Sequence, residues 1–368
     1  MLDAYKMNDY CSARFRKFYQ KKTYLELRSN IKTIAIFKSG GGLGDLTQSV
    51  ALFSAFRKMF PGAKIIYLGL YQNPPCGNLF KSIPYIDEYV EYTWPGKGID
   101  FKGYLGFRKK YLRKFDLIVD TQSKFVPSFF LWFLAPGYFL SRNVIFSSKK
   151  FLLNPRKKVH AVAKMLSAAR VLGLEEISLE CDIKISQEHL NLVQNYLKNF
   201  SGPFISILLG AGHPYKKWPE EKFVILADKL SLMGYQIILI GSESERELLS
   251  GVARMMQNKP IIPLIDEPKF GKDPVYSIGL FKASSLAVGC DCGGLHLAAF
   301  AGCPVVGIYG PTSPLKSGPL GQRNIVLYKE LGCSPCPMKE CKIQRRCLSD
   351  IEPDEVVKAV KVILRKDG

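Results

Sequence analysis

Carboxylate side chains are what this 368-residue sequence is short of: 32 Asp and Glu stand against 52 Lys and Arg, a net charge of +20. From Thr121 to Leu174 there is none at all, while Lys124, Arg142, Lys149, Lys150, Arg156, Lys157, Lys158, Lys164 and Arg170 crowd the same stretch. Arg108, Lys109, Lys110, Arg113 and Lys114 lie just upstream. A positive surplus gathered in one half of the chain suits an anionic partner: nucleic acid, an anionic membrane surface or a phosphorylated glycolipid. No basic-aromatic recognition motif accompanies the charge, so nucleic acid is set aside. A long apolar run is missing too. The greasiest stretch, Phe125 to Leu140, is broken by Pro127, Pro136 and Gly137 and falls short of the roughly 20 residues of a spanning helix. Met1 to Asn30 is basic and aromatic without the apolar centre of a secretory signal, so a cytoplasmic protein with a basic N-terminal extension is expected. Of ten cysteines, six are scattered and four cluster late, which excludes a disulfide scaffold.

What is present is an alternation of strand and helix. Ile31 to Phe37 reads as a strand and Ser39-Gly40-Gly41-Gly42-Leu43-Gly44-Asp45 as a turn. Leu46, Val50, Phe53, Phe56 and Phe60 then recur at helical spacing. The turn lacks the Gly-Lys-Ser/Thr of a Walker loop and the last glycine of the dinucleotide fingerprint. It offers a carboxylate, Asp45, at a helix start, where Asp is equally at home as a cap. Strands at Lys64–Leu70 and Asp116–Val119 and a helix at His160–Leu172, closed by Gly173, fill a first domain over residues 31–180. Glu175 to Ile185 reads as the linker. In residues 181–350 a helix at Gln187–Phe200 precedes strands at Phe204–Leu209 and Gln236–Ile240. Pro219-Glu220-Glu221 opens a helix that Gly234 stops, and Ser242 and Glu245 have capping-box spacing. Pro353–Arg365 is an amphipathic helix in a final segment, 351–368. The pattern predicts an α/β protein of two Rossmann-like, doubly wound parallel-sheet domains facing across a cleft.

The chemistry is expected at Leu286 to Pro314: a strand to Gly289, a turn Asp291-Cys292-Gly293-Gly294, a short helix closed by Gly302, and a strand Val305–Tyr309. Such a unit aims the unpaired amides of a helix N-terminus at the sheet edge, where a phosphate can sit; an empty tight turn is the bland alternative.

Three motifs occur in order. They are Gly44-Asp45 after the first strand, Lys216-Lys217-Trp218-Pro219 after the first strand of the second half, and Asp291-x-Gly-x-x-His296-x-Ala with Gly310-Pro311-Thr312. Over roughly residues 31 to 365 they resemble glycosyltransferase family nine, the ADP-heptose:lipopolysaccharide heptosyltransferases. The resemblance implies a GT-B fold, a nucleotide-sugar donor such as ADP-heptose bound mainly by the C-terminal domain, and inversion at the anomeric carbon without a required metal or cofactor. It implies a phosphorylated glycolipid acceptor, the lipopolysaccharide core, and a peripheral place on the anionic inner face of the bacterial inner membrane. It assigns Asp45 as general base, with Gly42 and Gly44 in the acceptor-side loop, and Lys216 to the donor diphosphate. Glu243 falls to the ribose and base, and Asp291, Cys292, Gly293, Gly294 and His296 to the donor-binding turn. Cys292 stands where the family has Ser or Thr, losing a hydroxyl; Asp266 to Pro274 replaces a short Thr-containing loop. Two alternatives stay open: a same-family enzyme acting on a protein or O-antigen acceptor, and a catalytically silent glycan- or anion-binding protein.

Cys333, Cys336, Cys341 and Cys347 have the spacing C-x2-C-x4-C-x5-C in a Pro-, Lys- and Arg-rich loop. Four thiolates so close can enclose Zn²⁺ or iron as a structural centre, although the second C-x2-C pair of a zinc ribbon is lacking; free thiols are the alternative. Similar clusters form an iron-binding finger in the branch of the resembled family that modifies autotransporter proteins.

Overall fold

The computed structural model describes residues 29–38, 42–69, 77–91, 101–122, 124–141, 147–148, 160–174, 182–321, 323–336 and 340–365. The chain divides into two units, one of residues 1–74 and 83–182 and the other of 75–82 and 183–368.

In the first unit five parallel strands, β1 (Thr33–Lys38), β2 (Lys64–Gly69), β3 (Glu88–Glu91), β4 (Leu117–Asp120) and β5 (Tyr138–Ser141), stand in the order β3-β2-β1-β4-β5. The central strand β1 has Ile34 to Phe37 fully buried, because a strand covered on both faces needs a continuous apolar run. The Leu43–Met59 helix buries the spaced residues Leu46, Val50, Phe53 and Phe56 and packs on the Ala161–Val171 helix. His160 caps the latter by accepting the Val162 N–H, and Gly173, at φ 101°, ends it.

In the second unit β6 (Phe204–Leu208), β7 (Gln236–Leu239), β8 (Ser284–Cys290), β9 (Val305–Tyr309) and β10 (Ile325–Tyr328) form a parallel sheet ordered β10-β9-β8-β6-β7. Ile205, Ile207, Val288 and Ile308 meet Trp218, Phe223 and the Val356–Val360 face of the Pro353–Leu364 helix in one core. The Ser242–Glu245 capping box forms as its spacing predicts, and Gly234, at φ 90°, ends the Glu220–Leu232 helix. The short Gly77–Lys81 helix belongs here, packed on the Pro274–Ala283 helix, with Lys184 N–H donating to Ser82 O at 2.8 Å.

In each sheet the strand order reverses beside the first strand, between β1 and β4 and between β6 and β8. Such a reversal is where open α/β sheets bind ligands, outside the carboxyl ends of their strands. Local expectations shift in three places. The glycine turn is shorter than predicted, since β8 continues to Cys290 and Gly293 and Gly294 already open the Gly293–Phe300 helix. The stretch from Asp266 to Pro274 is not a plain loop but carries the helical turns Pro263–Asp266 and Lys269–Lys272. The greasy stretch folds as the Phe125–Trp132 helix and then β5. Residues 1–28, Gly40, Gly41 and most of the predicted linker lie outside the described residues. Among the described residues no helix is long and apolar enough to cross a membrane.

Candidate active site

Four connections leave the carboxyl edge of the second sheet in the spatial order β9, β8, β6, β7, and the predicted donor residues ride on them. Asp291 comes directly after β8 and Lys216 after β6, so they flank the point of reversal; Lys216 Nζ lies 2.7 Å from Asp291 Oδ2. Thr312, after β9, also bonds the Asp291 carboxylate. His296 Nε2 stands 3.7 Å from Oδ1, one turn into the Gly293–Phe300 helix. Asp291 is 9% exposed. Burial alone would push its carboxyl up, but His296, Lys216 and Thr312 outweigh burial and hold it well below the usual carboxylate range. The buried Tyr309 hydroxyl lies beside the same carboxylate and donates to Ser317 O at 3.2 Å. Tyr309 and Thr312 are site neighbours that sequence reading left out of the residue set, although Thr312 lay within a quoted motif.

Lys216 is placed by its neighbours along the chain. It ends a 3₁₀ turn, Pro214–Lys216, and two residues on Trp218 is 1% exposed. The Trp218 backbone N–H donates to Cys290 Sγ at 3.2 Å and its indole N–H to Ile351 O at 3.1 Å. A large ring sunk in the core, with one bond from its indole and one from its backbone, anchors the chain two residues after Lys216.

The other predicted donor residues take different parts. Glu243 is half-exposed after β7 and forms a two-point pair with Arg246, at 2.6 and 2.9 Å; the guanidinium holds its carboxyl below the ordinary value. Glu245, not singled out for the site, sits over the exit of β6: a side chain at Gly210 would meet its carboxylate. Cys292 is the helix N-cap, its sulfur accepting the Leu295 N–H at 3.4 Å beside the Gly294 N–H. Burial pushes that thiol up to about 12, so it stays neutral. Gly294 packs against Leu208: a Cβ there would lie 2.3 Å from Leu208 Cδ2, so a side chain at this position would make Leu208 move.

In the first unit Asp45 lies in the first turn of the Leu43–Met59 helix, whose cap is Gly42 with no side-chain bond. Asp45 is therefore not the cap; its Oδ1 is 3.1 Å from Lys38 Nζ at the end of β1, and its side chain is 40% exposed. Gly44 is in the same turn. Across the reversal, Asp120 closes β4 at 2% exposure and accepts from Ser128 Oγ, Ser141 Oγ at 2.7 Å and Gln122 N–H at 2.9 Å. That polar knot was not foreseen.

The four predicted metal-ligand cysteines all lie among the described residues. Among the described residues no three His, Cys, Asp or Glu side chains are grouped to hold a metal ion. Cys333 and Cys341 are exposed and Cys347 is buried. Burial, then the neighbouring Cys341, Cys333 and Cys336, raise the Cys347 thiol. Arg345 ties this loop to the turn that carries Lys216, its Nη1 donating to Pro214 O at 3.0 Å.

The family model of glycosyltransferase family 9 (heptosyltransferase) matches residues 105–346. The chain belongs to this family. Relatives of family 9 bear this out: lipopolysaccharide heptosyltransferase 3 of Escherichia coli is 24% identical over 347 residues, 88% of this chain and 96% of that protein. With lipopolysaccharide heptosyltransferase 1 of Pseudomonas aeruginosa the likeness is 29% over 143 residues, 39% of this chain and 38% of that protein. The solved structure of E. coli ADP-heptose lipopolysaccharide heptosyltransferase II superimposes with a TM-score of 0.71 at 20% identity, covering 92% of this chain and 99% of that one. The family 9 fold of this chain is thus GT-B, with two Rossmann-like parallel-sheet units.

Proposed function

We propose that this family 9 enzyme transfers heptose from ADP-heptose to a hydroxyl of a lipopolysaccharide core acceptor, with inversion in a single displacement. The observation that carries the reading is the Lys216–Asp291 pair at the strand reversal of the second sheet: a cation and an ionised, buried carboxylate at a ligand-binding edge. The lysine suits a donor diphosphate, whose charge grows as the glycosidic bond breaks. Asp291 and His296 suit sugar hydroxyls, and the half-exposed Glu243 a ribose. On the acceptor side Asp45 takes the proton of the attacking hydroxyl, with Lys38 orienting its carboxylate. Chemically, the acceptor oxygen forms the new bond to the anomeric carbon, ADP leaves with the bonding pair, and the proton ends on Asp45.

The direct test is transfer from a panel of ADP-, GDP- and UDP-sugars to a core acceptor lacking heptose, with the product linkage read by NMR. ADP-heptose is expected to be the substrate, and a retained anomeric configuration counts against single displacement. Asp45→Asn should lower kcat by about 10²–10⁴-fold with donor affinity unchanged. Persisting turnover would remove the general base.

A further inference from the structure

In each sheet the strand across the reversal delivers an aspartate to the carboxyl edge: β4 ends in Asp120 and β8 is followed by Asp291. The two are met differently. Asp291 faces a lysine, a histidine and a threonine, whereas both oxygens of Asp120 are taken up inside the first unit. Its Oδ2 accepts from Ser128 Oγ and Ser141 Oγ, both fully buried, and its Oδ1 accepts the Gln122 N–H at 2.9 Å. At 2% exposure Asp120 is a fastening for the chain that follows it.

That chain is Thr121 and Gln122. Asp120 lies level with Phe37 in the β1–β4 ladder, and the Thr121 N–H and Oγ1 both donate to Phe37 O, at 3.2 and 2.8 Å. Phe37 precedes Lys38, whose Nζ meets Asp45. The turn after β4 is therefore bonded to β1 on one side and to Asp120 on the other, at the edge where such sheets bind ligands. Gln122 is half-buried, and among the described residues its carboxamide makes one long bond, Nε2 to Thr121 Oγ1 at 3.5 Å. A carboxamide held on a fixed backbone offers N–H donors and a carbonyl acceptor together. Neighbouring hydroxyls of a sugar ring, one giving and one taking a hydrogen, are its complement. A phosphate would use only the donors.

We propose that Gln122 binds ring hydroxyls of the acceptor sugar, beside the hydroxyl whose proton Asp45 takes, and that Asp120 is the positioning residue that sets Gln122 in place. The assignment rests on the reading of the first unit as the acceptor side.

The test uses the full chain and a heptose-free core oligosaccharide freed of its lipid, with and without its phosphates. Binding in the presence of ADP is read by calorimetry, and transfer from ADP-heptose by initial rates. Gln122→Ala should weaken acceptor binding and raise the acceptor KM about fivefold with both oligosaccharides, the worth of one neutral hydrogen bond. Its ADP affinity and melting temperature should stay unchanged. Asp120→Asn keeps an oxygen for the Gln122 N–H and an amide for the two serine hydroxyls, so it should lose less acceptor affinity than Asp120→Ala. Added to Gln122→Ala, Asp120→Asn should change acceptor affinity little further, because it acts through Gln122. Should Asp120→Ala not fold, the other two variants carry the test. Full acceptor affinity in Gln122→Ala, a loss confined to the phosphorylated oligosaccharide, or additive losses in the double variant would overturn the proposal. If Asp45→Asn kept its turnover while Gln122→Ala lost acceptor affinity, the base would fall and the sugar contact stand. A parent chain that binds neither oligosaccharide removes both.

Discussion

Asp291 is a carboxylate kept ionised in a nearly closed setting because its cations and donors outweigh the loss of water. Its folded value lies below the 3.8 of an ordinary Asp. A depressed carboxyl contributes stability that is fully present above the unfolded value and is lost as pH falls through the folded one. Asp291→Asn leaves Lys216 partly buried with its charge unmatched, and should cost about 2–3 kcal/mol at neutral pH after allowing for the lysine's remaining exposure. That deficit against the parent chain should narrow steadily below pH 3.8, as read from urea midpoints across an acid series. A deficit independent of pH would mean that the asparagine harms packing and that the ion pair contributes nothing. Cys292 teaches a different lesson at the same scale. Compared by motif it is a serine that lost its hydroxyl, yet its sulfur accepts the Leu295 N–H and serves as the helix cap.

Among elements, the segment joining β6 to the Glu220–Leu232 helix is controlled from its far end, where Trp218 is bonded into the core. Trp218→Phe keeps most of the apolar volume and leaves Ile351 O with Lys222 Nζ as its remaining donor, so the lost indole bond should cost about 1 kcal/mol. The expected kinetic signature is a raised KM for the nucleotide sugar with kcat nearly intact, measured by initial rates at saturating acceptor; a kcat loss alone would contradict a positioning role. Strand-helix alternation was legible because β1, β2, β6, β8 and β9 are covered on both faces and so read as apolar runs. The strands β3, β5 and β10 were not legible. Each is a four-residue edge strand: β3 begins and ends in Glu, β5 hides behind Pro136 and Gly137, and β10 is only half-buried. Motifs likewise named Lys216 and Asp291 but not their pairing, since residues 75 apart meet only through the β6–β8 register. The Asp120 knot escaped because Ser128 and Ser141 are unremarkable letters until β4, β5 and the intervening helix bring them to one carboxylate.

At the scale of the whole molecule the predicted donor residues belong to one unit and Asp45 to the other. If ADP-heptose binds the second unit, a hundredfold excess over its Kd should stabilise that unit by about 2.7 kcal/mol. Hydrogen exchange should slow at residues 208–218, 289–296 and 309–313, with β1 to β5 little changed. Slowing confined to the first unit would reverse the assignment of donor and acceptor sides. The net charge of +20 acts over the same range: it favours encounter with any anionic partner and makes that encounter sensitive to salt.

The segment of residues 75–82 gives the backbone three passages from one half to the other, near residues 74, 82 and 182, where a simple tandem arrangement would have one. A protease nick beside Asp182 consequently does not liberate two free pieces, because the leading fragment still owns Leu79, which is fully buried against its neighbours in the trailing half. Cutting the gene at the same place strips the trailing half of the short Gly77–Lys81 helix that packs on its Pro274–Ala283 helix.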